Sequence, residues 1–345
     1  MDIDARRLAA QTAVIAGTLG LMAAPVVVFL ILPQAFLLAF AGILLAVFLI
    51  GIAEIIEGYT PLSYGWSLAL TGALLLALAA LLSWLVLPSV FLELRQFISQ
   101  LPERWNEILE MVRGTRLGSS ILPEKGEGLN LSDFSDQFGE VGRRSLGVLS
   151  SLFGFVASLV IILFLGIYLA AMPGFWRWAL QRFLPERARQ RAEDLVDELY
   201  TTLWRWLVGR LVDMTFVGLL TGLGLFLLGM PLALSLGFIA GAFNFIPYVG
   251  PILAALPALF VALSDDFAMV LWVLGLYTFV QFLESYFITP LIQKKAVHLH
   301  PVTLLLAQII LGALYGLLGV ALATPLTAVA ITTAEVLAPK PTSNA

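Results

Sequence analysis

Long apolar segments separated by shorter polar ones make up most of this chain. A membrane-spanning helix needs about 20 consecutive apolar residues, and the pattern meets this length repeatedly between residues 8 and 337. It therefore predicts an all-α polytopic membrane protein with about eight hydrophobic segments, six of them uninterrupted. The uninterrupted segments are Leu8–Leu32, Ala35–Ile56, Gly65–Leu87, Ser145–Ala171, Leu203–Leu228 and Ala268–Ile288.

The two remaining segments, Leu232–Leu263 and Pro301–Leu337, are interrupted near their middle. The first contains the run Asn244–Pro251 (NFIPYVGP), which a helix cannot cross smoothly because proline lacks a backbone N–H. As one helix, its 32 residues would be ~48 Å long, against a hydrocarbon core of ~30 Å. We therefore predict re-entrant helical hairpins at 232–263 and at 301–337, the second bent near Gly316 and Gly319. A single tilted span is the alternative for the second unit.

The two interrupted units share an order of proline and glycine residues, and each follows a spanning segment. A span plus a hairpin, repeated in the opposite orientation, is typical of the inverted repeats of secondary transporters. Chance is the alternative, because glycine and proline are frequent in membrane helices. We assign a shape-making role to the turn residues Pro247, Gly250, Pro251, Gly316, Gly319 and Pro325.

Positive charge sets the predicted orientation, since cytoplasmic loops are enriched in lysine and arginine. The interval 173–204 is rich in arginine and is predicted to be a cytoplasmic basic helical segment. The interval 88–144 has seven basic and nine acidic residues, and we expect an extracytoplasmic amphipathic segment and loop there. The remaining parts are three transmembrane helices (1–87), a fourth (145–172), a transport core (203–337) and a tail (338–345), with both termini in the cytoplasm.

Composition narrows the class of function. The chain is 60% hydrophobic and 12% charged, whereas a soluble domain has about 25% charged residues. A net charge of −4 provides no basic surface for nucleic acid, and the absence of cysteine excludes disulfides and thiol catalysis. The sequence contains neither an H-E-x-x-H motif nor a P-loop, so we expect no enzyme, no direct use of ATP, no cofactor and no metal site.

Glu284 is the leading candidate for a transport residue. It lies within the apolar sequence YTFVQFLESYFITP, where an ionisable side chain costs about 2.5–3.5 kcal/mol on insertion scales. Gln281 lies three positions earlier, on the same face of a helix. Binding of a cation, a proton or a polar substrate is the favoured interpretation. Pairing of Glu284 with a neighbouring helix or subunit is the structural alternative.

Three further polar residues are candidates for the transport pathway. Asn244 and Tyr248 lie at the predicted break, where unpaired carbonyls and helix ends could coordinate an ion or a polar solute. Capping of the broken helix ends is a compatible alternative. Asp213 follows Arg210 at i+3, so an ion pair within one helix is the favoured explanation and a transport role the second.

Three stretches of the chain resemble the AI-2E family, the autoinducer-2 exporters or PerM-like permeases. They are GFIAGAFNFIPYVGPILAALPA (237–258), VQFLESYFITPLIQKKAVHLHPVTLLL (280–306) and GALYGLLGVALATPLTAV (312–329). The layout of three spans, an extramembrane segment and five further hydrophobic units is also similar to that of the family. The resemblance implies a bacterial inner-membrane protein with eight segments and cytoplasmic termini, linked to autoinducer-2 export or to sodium/proton antiport.

We therefore expect a secondary membrane transporter that exports an autoinducer-2-like signal or another small polar molecule, coupled to an ion gradient. A monovalent cation (sodium)/proton antiporter is the alternative, and a non-transporting scaffold that docks through 88–144 is a third. The expected partners are a small molecule or ion and the lipid bilayer, without nucleic acid. The amphipathic segments and small-residue faces are compatible with a homo-oligomer.

Overall fold

The structure is a computed structural model that describes residues 32–84, 145–263, 267–288 and 300–337. Every regular element in these ranges is helical, and five helices are long and apolar enough to cross a membrane. The predicted all-α polytopic membrane class is therefore confirmed. The helices are α1 (Pro33–Tyr59), α2 (Tyr64–Trp84), α3 (Ser145–Ala171), α4 (Phe175–Phe183), α5 (Glu186–Leu227), α6 (Ala233–Phe243), α7 (Val249–Leu263), α8 (Phe267–Leu283, continued by a π-helical turn, Glu284–Ile288) and α9 (Pro301–Leu337).

Most predicted spans within the described ranges coincide with helices, but α5 is much longer than the predicted fifth span. Its 42 residues give a length of ~63 Å, about twice the hydrocarbon thickness. The helix begins at Glu186 instead of Leu203, because the arginine-rich sequence before the apolar segment is itself helical. The predicted span at 8–32, the segment at 88–144 and the tail at 338–345 lie outside the described residues.

A corner between α4 and α5 divides the arginine-rich interval 173–204. Leu184 is extended at the end of α4, and Pro185 is extended before α5 begins. The side chain of Arg189 closes the corner, since Nη2 donates to the Gln181 carbonyl at 2.7 Å and Nε donates to the Leu184 carbonyl at 3.0 Å. The arginine thus satisfies carbonyls that the end of a helix leaves without partners.

The interrupted segment 232–263 forms the two short helices α6 and α7, and the chain reverses direction between them. A Cβ atom on Gly250 would collide with the carbonyl oxygen of Phe243, whereas a continuous helix would hold these positions ~10 Å apart. Tyr248 has a left-handed φ of 65° in the connection. With 11 and 15 residues, neither arm can cross a membrane alone. The break is therefore established, and its re-entrant placement in the bilayer remains a prediction.

A second reversal occurs inside α9, at Gly316. This residue has φ 63° and ψ −147°, which no helix contains. A Cβ atom on Gly319 would overlap the carbonyl oxygen of Leu311, although a straight helix would separate the two positions by ~12 Å. The unit 301–337 is thus two arms folded against each other, with Pro325 buried in the second arm.

Glycine residues bring the backbones of α5 and α6 into direct contact. A Cβ atom on Gly237 would lie 2.5 Å from the Cα of Gly222, and one on Gly241 would lie 2.6 Å from the carbonyl oxygen of Met214. Membrane helices pack closely where such small residues face each other. The contact holds α6, and with it the break at its end, against the middle of α5.

An apolar core joins α1, α5 and the second arm of α9. Thr202 of α5 and Thr332 of α9 share a hydrogen bond of 3.4 Å beside this core. Tyr200 of α5 donates its hydroxyl to Glu54 of α1 at 2.9 Å. The second arm of α9 is therefore fixed to the same long helix that holds α6. The buried core residues are Leu37, Phe40, Leu44, Val47, Leu203, Leu207 and Leu322.

We expect Gly237→Ala to lower the free energy of unfolding by about 1–3 kcal/mol, the usual cost of overpacking. Its new methyl group would meet the backbone of α5, which cannot rotate away as a side chain can. Gly275→Ala is the matched control, because nothing lies within 4 Å of its added Cβ. Thermal unfolding of the purified proteins in one detergent measures both, and a Gly237→Ala midpoint at or above the wild-type value would contradict the close contact.

Candidate functional site

Five polar side chains form a buried cluster where α5, the α6–α7 break and α8 meet. Three of them are almost inaccessible: Asp213 is 4% exposed, Asn244 0% and Glu284 7%. Ionisable groups in an apolar environment are costly unless they are paired. Since the three come from separate elements, tertiary packing brings them together. We call this set the polar cluster: Arg210, Asp213, Asn244, Gln281 and Glu284.

Arg210 connects α5 to the break. Its Nη1 donates to Asp213 Oδ2 at 2.5 Å, so the predicted ion pair at i+3 is present. Its Nε donates to the carbonyl oxygen of Phe245 at 3.1 Å. That carbonyl lies just beyond the C-terminus of α6, where a positive charge is favourable. One guanidinium therefore neutralises a buried carboxylate and also satisfies a backbone group freed by the break.

Glu284 interacts with neutral donors. Its Oε2 accepts a hydrogen bond from Gln281 Nε2 at 2.5 Å, and its Oε1 accepts a longer one from Asn244 Nδ2 at 3.5 Å. The predicted contact between Gln281 and Glu284 is therefore present. Glu284 is also the first residue of the π-helical turn, a feature frequent at functional sites that the sequence pattern did not predict.

The two carboxylates of the polar cluster belong to one electrostatic unit. Glu284 and Asn244 both interact with the carboxylate of Asp213, and the guanidinium of Arg210 also interacts with Glu284. Among the described residues, Arg210 is the cation that faces this pair of carboxylates. When all three groups are ionised, the polar cluster holds one positive and two negative charges, and one negative charge is uncompensated.

Two buried oxygen atoms of the polar cluster lack a hydrogen-bond donor in the described part of the chain. They are Asp213 Oδ1 and Asn244 Oδ1. The Nη2 atom of Arg210 likewise has no acceptor among these residues. Leaving a buried polar atom without a partner costs about 1–3 kcal/mol, and such atoms commonly mark the place of a water molecule or an ion. The polar cluster therefore has the capacity to accept a further charged or polar species.

Tyr248 and Gln308 connect the break to its surroundings. Tyr248 lies in the break with its side chain 45% exposed, and it interacts electrostatically with Arg210. Gln308, in the first arm of α9, is 3% exposed and donates Nε2 to the carbonyl oxygen of Pro247 at 3.0 Å. Our sequence analysis missed Gln308, although an amide within the apolar stretch TLLLAQIILG was a usable signal. This bond joins the two interrupted units.

The predicted shape-making residues lie at the two reversals. Pro247 is within the first break, and Gly250 and Pro251 are in the first turn of α7, where a proline disturbs no helical hydrogen bond. Gly316 and Gly319 form the second reversal. Their transport role stays a prediction, since geometry alone describes where they lie.

An apolar cavity of about 270 Å³ adjoins the break on the side of α1. Phe245, whose carbonyl accepts the bond from Arg210, forms part of its wall. The cavity thus lies near the polar cluster but presents apolar side chains. The lining residues are Ala41, Leu44, Leu45, Phe48, Leu207, Leu211, Phe245 and Leu322.

Comparison with known proteins identifies the family. The family model described as "AI-2E family transporter" matches residues 17–338, nearly the whole chain. The chain belongs to the AI-2E transporter family. The resemblance seen in the three sequence stretches is therefore confirmed, and the broken segments and polar cluster are features of a transporter and not of an enzyme family.

Individual relatives of this transporter are also named for transport. YrrI and YueF of Bacillus subtilis (strain 168), each named as a candidate transport protein, are 34% and 32% identical to it over 145 and 185 residues. These matches cover 42% and 52% of this chain and 41% and 50% of the relatives, so the chain spans about half their length or less. PerM of Escherichia coli (strain K12), named as a candidate permease, is 26% identical over 275 residues, 76% of each chain. None of these three names specifies a substrate.

We expect Arg210→Gln to destabilise the transporter more than Asp213→Asn does. Removing one partner of a buried ion pair costs about 3–5 kcal/mol. Arg210→Gln leaves two buried carboxylates without their cation, whereas Asp213→Asn leaves a guanidinium that still interacts with Glu284. Thermal unfolding of both purified variants in one detergent measures the order. Equal midpoints, or a lower midpoint for Asp213→Asn, would contradict the charge count of the polar cluster.

Proposed function

We propose that this protein is a secondary transporter that exports a small solute, either an autoinducer-2-like signal or another small polar molecule. Export is coupled to a gradient of protons or monovalent cations. The observation that carries the proposal is the uncompensated negative charge of the polar cluster. A buried net charge is costly, so uptake of one proton or one monovalent cation stabilises the cluster. That differential stability is what an ion gradient needs in order to act on the protein.

The position of the polar cluster supports a coupling role. Secondary transporters bind substrates and ions where helices are broken, because unwound carbonyls and helix ends are available there. Here the first break contributes Asn244 and the Phe245 carbonyl, and Gln308 ties the second unit to the same break. Neutralising Glu284 weakens its attraction for Arg210, which then pairs with Asp213 alone. The break is thereby released from α8, and we propose that alternating access follows from this release.

Polar atoms near the break provide contacts for a polar cargo. We assign the unpaired Nη2 of Arg210 and the half-exposed Tyr248 to this role, together with Asn244. The apolar cavity beside α1 is not assigned to the cargo, because its lining offers no hydrogen-bonding side chain. We place the protein in the inner membrane of a bacterium with both termini in the cytoplasm, following the distribution of lysine and arginine.

A monovalent cation (sodium)/proton antiporter is the second candidate function. The unpaired oxygens Asp213 Oδ1 and Asn244 Oδ1 favour it, since sodium sites in transporters are built from oxygen atoms at broken helices. In this mechanism the cation and the proton compete for the same uncompensated charge, and no further solute is required.

We expect Glu284→Gln to abolish gradient-driven flux while the protein remains folded, because the amide keeps the side chain's shape and removes its charge. Proteoliposomes with an imposed pH or sodium gradient provide the assay, with autoinducer-2 release and internal pH as separate readouts. Solute flux favours the exporter, whereas sodium-dependent pH change without solute flux favours the antiporter.

The matched control is Glu335→Gln, an identical chemical change at an exposed position near the end of α9. It is expected to transport at the wild-type rate. Wild-type flux in Glu284→Gln would remove Glu284 from the mechanism. Absence of any flux in the wild-type protein would instead support the scaffold hypothesis.

A further inference from the structure

The polar cluster contains two pairs of the same construction, one on α5 and one on α8. In each pair, a side-chain nitrogen donates to a carboxylate three positions later, at 2.5 Å: Arg210 to Asp213, and Gln281 to Glu284. Both carboxylates are buried, and they interact with each other. The two pairs therefore form two halves of one site.

Each pair is followed by a chain reversal at the same distance. The spacing from Asp213 to Asn244, where the first break begins, equals the spacing from Glu284 to Tyr315, beside the second reversal at Gly316.

The reversals are also built alike. Shortly after each, a glycine (Gly250 or Gly319) packs on a carbonyl of the preceding arm. The units α5–α7 and α8–α9 thus correspond as two copies of one arrangement, in which the two donor–carboxylate pairs occupy equivalent positions.

The copies differ in one chemical respect. The donor of the first copy is a guanidinium, which carries a permanent positive charge, and the donor of the second is a neutral amide. The first carboxylate therefore has a covalently attached counter-ion, and the second has none among the described residues. This difference is the source of the uncompensated charge described above.

We infer that a free monovalent metal cation of the sodium type binds beside Glu284, in the place that corresponds to the guanidinium beside Asp213. Gln281 determines the specificity of this half-site, because its neutrality leaves the counter-ion exchangeable. The inference rests on the proposed function in taking the polar cluster as the coupling site. It goes further by naming the ion class, the ligands and the residue that keeps the site open.

The unpaired oxygens distinguish a metal cation from a proton. A proton on Glu284 would allow a single new hydrogen bond, so at least one of Asp213 Oδ1 and Asn244 Oδ1 would remain without a partner. A hard cation contacts several oxygen atoms at once, and carboxylate and carbonyl oxygens are its preferred ligands. Both residues are more than nine-tenths buried, so bulk water does not readily replace the cation. One monovalent ion neutralises the cluster, whereas a divalent ion would leave it positive.

The first experiment is thermal unfolding of the full chain in detergent, in sodium chloride or in N-methyl-glucamine chloride at equal ionic strength. A ligand that binds the native state alone raises the unfolding midpoint saturably. We expect such a rise with sodium and not with the organic cation, and we expect Glu284→Gln to lack it. Lithium and potassium arms report the size selectivity of the site. Direct binding of radiolabelled sodium to the wild-type protein gives the same information without any substitution.

The second experiment supplies the missing charge. Gln281→Lys places an attached ammonium beside Glu284, so we expect it to unfold above the sodium-free wild type, to lose the sodium response and to lose gradient-driven flux. Gln281→Met is the matched control: it removes the same hydrogen bond at similar length without adding charge, and it is expected to keep a sodium response.

The outcomes separate this inference from the proposed function. If wild-type protein neither binds radiolabelled sodium nor shifts its midpoint, while proton-driven flux persists, the inference is overturned and the proposed function stands. A sodium response that persists in Glu284→Gln or in Gln281→Lys also overturns the inference. Sodium binding without flux under any gradient would instead count against the proposed function.

Discussion

The need to satisfy polar groups in an apolar environment determines how this protein is built. A break in an apolar segment frees backbone carbonyls that lipid cannot satisfy, so protein groups or enclosed water must do so. Here Arg210 donates to the Phe245 carbonyl at 3.1 Å while it pairs with Asp213. The same guanidinium therefore stabilises the broken backbone and a buried carboxylate. Without it, both would be unsatisfied at the point where two interrupted units meet.

This arrangement requires the break to lie close to α5, and the glycine contact between α5 and α6 provides that closeness. With side chains at Gly237 and Gly241, the helix axes would separate and the guanidinium would have to extend further to reach the carbonyl. A second connection, from Gln308 to the Pro247 carbonyl, attaches the first arm of α9 to the same break. Close backbone packing and polar satisfaction are thus two parts of one solution, and the polar cluster lies where they coincide.

The sequence predicts local features of this structure well and long-range ones poorly. Apolar length and proline placement were enough to find the helices and the break, and helical spacing predicted the pairs of Gln281 with Glu284 and Arg210 with Asp213, since i and i+3 share a face. That Asp213 and Glu284 belong to one cluster could not be read from spacing, because their distance depends on how α5, α6 and α8 cross. The π-helical turn at Glu284 was missed for the same reason: it is a response to packing that the hydrophobic pattern does not encode.

The unbroken length of α5 has a mechanical consequence. Arg189, which closes the corner with α4, and Arg210, which holds the break, are on one continuous helix and ~31 Å apart along its axis. The helix acts as a lever between the surface and the interior of the protein. A tilt of the α4–α5 corner changes the position of the guanidinium relative to the carbonyl it binds. Events at the arginine-rich end of α5 are thereby transmitted to the charge balance of a site buried among apolar helices.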